Sequence, residues 1–167
     1  MSGSSVDDVT VTLPVSALEP VSESGGPEEA AGSWVSALAY ERQVIPQIEA
    51  ALLDIDPTGE TRVAIEALDP GHDFYVYRQL SDSSAINILF FGVIKYTQKG
   101  AFPVSRVQED LRKFRGIDKP LLLIANADVT RQGRKIIESS DLQVIWRKWR
   151  SESDNLELKV ALAGLLR

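Results

Sequence analysis

Residues Ile86–Tyr96 read Ile-Asn-Ile-Leu-Phe-Phe-Gly-Val-Ile-Lys-Tyr, apolar on both faces of an extended chain. A strand of that kind must be covered on both sides, which places it inside a sheet flanked by helices. A second run, Leu121–Ala125, is short and wholly apolar, as a buried parallel strand is. Between the two, Val104, Val107, Leu111 and Phe114 recur at helical spacing. Strand, crossover helix and strand make a parallel pair, and the helix packs back on the sheet.

The rest of the chain is read around this unit. Leu38, Ile45, Ile48 and Leu52 form one helical stripe, with Ser33 as its expected N-cap and Pro46 expected to kink or restart it. Arg62–Leu68 and Asp73–Leu80 read as strands, with turns at Asp69–His72 and Ser81–Ser84. After Ala125 come a helix over Arg131–Ser139, a strand over Leu142–Trp146 and a closing helix over Leu156–Leu166. The expected fold is α/β, a mixed central sheet with element order α-β-β-β-α-β-α-β-α.

Residues 1–32 are rich in Ser, Gly, Pro and acids and form an expected disordered acidic tail, leaving residues 33–167 as the α/β domain. An alternating stretch at Val9–Val15 allows a short strand there. The tail holds six acids and no Lys or Arg, so residues 33–167 carry 18 acids against 18 bases. The net charge of −6 therefore does not argue against a nucleic acid partner. With no cysteine, disulfides, thiolate metal sites and thiol catalysis are excluded. A single histidine excludes His-pair metal sites and most triads. No Gly-X-X-X-X-Gly-Lys occurs, so P-loop nucleotide hydrolysis is excluded as well. No apolar run is long enough for a leader or a membrane span, and the expected location is cytoplasmic.

Basic residues flank and line the crossover helix. Lys99, Arg106 and Lys113, with Arg131 on the next helix, are the candidates for phosphate contact, although Glu109 and Asp110 dilute the patch. Trp146-Arg147-Lys148-Trp149-Arg150 interleaves aromatics and bases, which suits either stacking on a nucleic acid strand or a strand with Trp146 in the core.

Four segments occur in a telling order: Tyr40-Glu41-Arg42-Gln43-Val44, Pro70-Gly71-His72-Asp73, Val93-Ile94-Lys95, and Leu122 to Asn126 followed by Thr130 to Ile137. Across about residues 36–148 this order resembles the restriction-endonuclease-like (PD-(D/E)XK) nucleases, Mrr-type branch. The resemblance implies Glu41 and Asp73 as Mg²⁺ ligands, Asp73 and Lys95 as catalytic residues, DNA as partner, and frequent homodimers. The sequence departs from the pattern at Val93, where the family places an acid and which cannot bind a metal. Glu66, Asp82 and Glu109 are the acids nearby that a rearranged site would draw on. Two readings follow: a nuclease-fold domain contacting nucleic acid through a degenerate metal site, or an inactive relative serving as a protein-interaction module. Without the resemblance, Lys95 reads as a solvated strand end, Asp73 as a turn residue and Glu41 as helix surface.

Overall fold

The computed structural model describes residues 27–65, 72–79 and 84–167. Helix α1 spans Pro27–Ile55, followed by β1 (Thr61–Ile65), β2 (Phe74–Gln79) and β3 (Ile86–Lys95). Then come α2 (Val104–Lys113), β4 (Leu121–Ala125), α3 (Arg131–Glu138), β5 (Val144–Lys148) and α4 (Asn155–Leu165). The order is the expected α-β-β-β-α-β-α-β-α. The strands form one sheet in the order β1-β2-β3-β4-β5. β1, β2 and β3 pair antiparallel, while β3, β4 and β5 pair parallel, so the sheet is mixed.

Both sheet faces are covered, as the unbroken apolarity of β3 and β4 requires. On one face α1 and α4 bury Val44, Ile48, Leu52, Leu158 and Leu162 against Phe74, Phe90, Leu122 and Ile124. On the other, α2 lays Phe114 over Val93, Leu121 and Leu123, and Val107 packs with Phe102, Val129 and Ile137. Alternate residues of a strand face opposite ways. Phe90 and Ile94 therefore meet α1, and Val93 and Lys95 meet α2.

Three local expectations are corrected. Helix α1 starts at Pro27, so Ser33 lies inside it rather than capping it, and residues 27–32 are helical. The helix runs on through Pro46 without restarting. Val44, Ile45 and Ile48 around that proline are buried, and their packing outweighs one lost backbone donor. β5 begins at Val144, not Leu142, because pairing with β4 starts at Leu121↔Val144 and the Leu142 N–H is taken by Ser140 Oγ. The turn at 69–71, most of that at 81–84, the stretch at 9–15, Glu66 and Asp82 lie outside the described residues.

One contact fixes the hairpin register. A Cβ at Gly92 would lie 1.9 Å from the Phe74 ring, so the ring occupies the space that any side chain at 92 would need. Phe74 is opposite Gly92 in the β2–β3 ladder and is fully buried. A one-residue slip would turn every side chain of the strand to the wrong face.

Candidate functional site

Asp73 sits one residue before β2. Its N–H continues the ladder by donating to the Gly92 carbonyl at 3.0 Å. The next donor on β3, Ile94 N–H, has run past the end of β2 and finds the Asp73 carboxylate, 2.6 Å away at Oδ2. A backbone donor left over by the shorter strand thus orients the acid. Phe74 faces α1, so Asp73 belongs to the α2 face, with Val93 and Lys95.

Lys95 closes β3, and its ammonium reaches Asp110 Oδ1 on α2 at 2.9 Å. Asp110 is 4% exposed, and its other oxygen, Oδ2, is buried without a hydrogen-bond partner among the described residues. Burial pushes the Asp73 carboxyl above its ordinary range, and the Asp110 charge adds to the rise; the Ile94 N–H, Lys95 and His72 oppose it. Burial also raises the Glu41 carboxyl, next through the charge of Asp73, against Arg42. Asp73 thus feels the charges of Lys95 on β3 and Asp110 on α2, and Glu41 on α1 feels that of Asp73. Among the described residues, no three Asp, Glu, His or Cys side chains stand close enough to enclose a metal ion.

The cluster lies at the carboxyl ends of the parallel strands, where Lys95 pairs with Ala125. The loops that leave these ends are tied together. Asn126 accepts from Thr97 N–H at 2.9 Å and donates to the Thr97 carbonyl at 2.7 Å. A groove of about 420 Å³ opens beside this tie, lined by Tyr96, Lys99, Pro103 and Arg106 among others. A second of similar size lies between α1 and Asn126, lined by Tyr40, Gln43, Tyr96 and Arg150. Open α/β sheets bind ligands outside the carboxyl ends of their parallel strands.

The expected site residues divide accordingly. Asp73 and Lys95 share the α2 face of the sheet, and Glu41, on α1, feels the Asp73 charge. Lys99 and Arg106 share one groove. Lys113 is engaged by Glu109 at 3.4 Å, and Arg131 opens α3 as an exposed residue outside that groove. The Trp146 ring packs on Phe102, at 5.5 Å between centroids, while Trp149 is buried and donates to Asn155 Oδ1. Lys148 pairs with Asp128 at 2.7 Å.

Sequence reading missed Asp110. Next to Glu109 it looked like one of two surface acids. The signal was present: Asp110 falls three residues after Val107 and four before Phe114, on the apolar stripe of α2. Glu109, the acid considered instead, faces solvent.

No family model matches the chain, and no curated protein matches it. Among solved structures, the MspJI restriction endonuclease in complex with a 27-mer oligonucleotide is similar at a TM-score of 0.45 and 14% identity, over 92% of this chain and 35% of that one. The DNA modification-dependent restriction endonuclease AspBHI is similar at 0.44 and 17%, over 85% of this chain and 38% of that one. A protein from Vibrio cholerae reaches 0.36 and 15%, over 70% of this chain and 31% of that one. The chain thus spans roughly a third of the length of each. No described helix is long and apolar enough to cross a membrane.

Proposed function

We propose that this chain is a restriction-endonuclease-like domain that contacts DNA at the carboxyl ends of β3 and β4, with a rearranged hydrolytic centre around Asp73 and Lys95. The observation that carries the reading is the placement of Asp73. Its carboxylate is pinned to Ile94 N–H on the strand whose next residue is Lys95. In this reading Asp73 presents oxygen to a cation, Lys95 supplies a positive charge to a phosphate oxygen, and Glu41 adds negative potential from α1. Lys99 and Arg106 hold backbone phosphates in their groove.

The resemblance implies Mg²⁺ as cofactor. The Asp73 and Glu41 carboxylates are the hard oxygen donors such an ion requires, whereas Val93 is 2% exposed among Phe114, Leu121 and Leu123 and offers none. When bound, the ion would supply charge against the phosphate and a more acidic water.

Two measurements test the reading. A salt titration of the chain with linear duplex DNA should show affinity falling steeply with ionic strength. The paired change Lys99→Ala and Arg106→Ala should reduce the magnitude of the log–log slope by about 2, one for each lost phosphate contact. Cleavage of linear and supercoiled DNA with Mg²⁺ or Mn²⁺ should disappear in Asp73→Ala. Cleavage unchanged in that variant would remove the hydrolytic part. Salt-independent binding, or none, would favour the second reading, an inactive relative that docks a protein. The apolar Val93 is the observation that speaks for that alternative.

A further inference from the structure

The antiparallel end of the sheet is finished differently on its two sides. Alternation with Phe74 and Val76, which meet α1, turns Tyr75 and Tyr77 to the α2 side. On that side the helical cover lies over β3, β4 and β5, where Phe114 and Leu111 pack on Val93, Leu121 and Val144. Tyr75 and Tyr77 are half-buried and join none of the core clusters. Ile88 stands opposite Tyr77 because the ladder shifts register between Val76 and Tyr77, and Ile86, two residues earlier, is 46% exposed. This outer face is thus aromatic and apolar, where a solvated sheet face is ordinarily polar.

Its rings form a line. From Tyr77 through Tyr75, His72 and Phe91 to Phe114, neighbouring centroids are 5.8, 6.0, 4.7 and 6.1 Å apart. The line crosses from β2 to β3 and ends at α2. Asp73, Tyr75 and Tyr77 are alternate residues, so the acid stands in the same row as the two tyrosines. The charge is one-sided as well: β1, β2 and β3 contain Arg62, Arg78 and Lys95 and no Asp or Glu. Arg62 is exposed and stands opposite Tyr77.

We propose that this face is a stacking platform for an unpaired nucleic acid strand running along β2 toward Asp73, a role that rests on the DNA reading above for its purpose. Aromatic rings accompanied by bases and free of acids suit a polyanion that has planar faces to offer. A duplex hides those faces in its own stack, so the rings serve a strand that is open. The spacing agrees. The 5.8 Å between Tyr75 and Tyr77 exceeds the 3.4 Å step between neighbours stacked in one strand, so bases resting on both rings are unstacked from each other. A second copy of this chain fits less well, because its Arg62 would meet three strands with no acid to receive it.

Fluorescence anisotropy of a labelled oligothymidylate, and of a matched duplex, with the full chain tests this. The parent should bind the single strand. Tyr75→Leu and Tyr77→Leu should each weaken that binding about tenfold or more, the loss expected of one base–ring contact. Tyr75→Phe and Tyr77→Phe keep the ring and should bind as the parent does, and duplex affinity should be the same in all five chains. Should a leucine variant not fold, photocross-linking of a thiothymidine oligomer to the parent locates the contact, with adducts expected on Tyr75 or Tyr77. Unchanged affinity in both leucine variants, an equal loss on duplex, or adducts confined to other residues each overturns the platform. So does a parent dimer in sedimentation that Tyr77→Leu disperses, which would give the face to a second copy. Duplex bound with its salt dependence while the single strand is ignored overturns the platform and leaves the DNA reading standing. Single strand held through these rings while duplex is ignored upholds the platform and overturns the duplex contact.

Discussion

Asp73 Oδ2 accepts a hydrogen bond from Ile94 N–H at 2.6 Å, and this bond holds a carboxyl whose burial otherwise favours its neutral form. A folded-state carboxyl raised above its unfolded value binds more protons than the unfolded chain between those two values. Stability is therefore lost as pH rises through that window and stays reduced at neutral pH. Asp73→Asn keeps an oxygen for Ile94 and removes the buried charge. It should raise the thermal midpoint at pH 7 by about 2–4 °C, the shift that accompanies ~1 kcal/mol in a chain of this size. The gain should shrink as pH falls toward 3.8, the ordinary value for aspartate. Calorimetric scans from pH 3 to 8 check this; a lower midpoint for the variant at pH 7 would contradict it.

Lys95→Met removes the one ion-pair partner that Asp110 has among the described residues, in a buried position. Removing one member of a buried pair costs about 3–5 kcal/mol when both are fully enclosed. The Lys95 side chain is 26% exposed, so about 1–3 kcal/mol is expected here. The double change Lys95→Met and Asp110→Leu should recover most of the loss, because the remaining charge goes with it. Urea melts of the parent, both single variants and the double variant give the coupling directly.

Tyr40 on α1 donates to the Trp149 carbonyl at 2.7 Å, a buried bond between residues 109 apart in sequence. Burial drives the phenol well above its ordinary range, so it remains a donor throughout the accessible pH range. Tyr40→Phe should cost about 1–2 kcal/mol, for the bond and for the carbonyl left dry, and show no pH dependence between 5 and 9. Denaturant midpoints at three pH values decide it.

Gly92→Ala should be among the most damaging single substitutions in the chain. The Phe74 ring cannot leave without opening the α1 face of the sheet, so a loss of about 3 kcal/mol or more is expected. Pairing it with Phe74→Leu should restore part of the loss, which thermal melts would show. Equal stability of Gly92→Ala and the parent would mean that the ring does not set the register.

The elements that were plain in the sequence are those whose burial is extreme. β4 is apolar at all five positions and fully buried at each, so its bounds were legible to the residue. β3 needed only its apolarity on both faces. The start of α1 was not legible, because Pro-Glu-Glu-Ala-Ala-Gly carries acid and glycine with no apolar stripe. For the site, Asp73 and Lys95 were singled out by the resemblance in motif order, and strand alternation alone would have left them a turn residue and a strand end. Asp110 was not, because a charged residue buried by pairing leaves the same letter in the sequence as a solvated one. Only its place on the stripe of Val107 and Phe114 set it apart.

Asp73, Lys95 and Asp110 all lie within the continuous stretch from the residue before β2 to α2, whereas Glu41 comes from far upstream. In kinetic terms the cluster belongs to a hairpin and its crossover helix, built from contacts that are local in sequence and so inexpensive in loop-closure entropy. The Tyr40–Trp149 tie spans most of the domain and closes a far longer loop. The α2 face of the sheet should then be assembled before α1 docks. In pulsed hydrogen exchange during refolding, the amide of Ile94 should become protected earlier than the amides of α1.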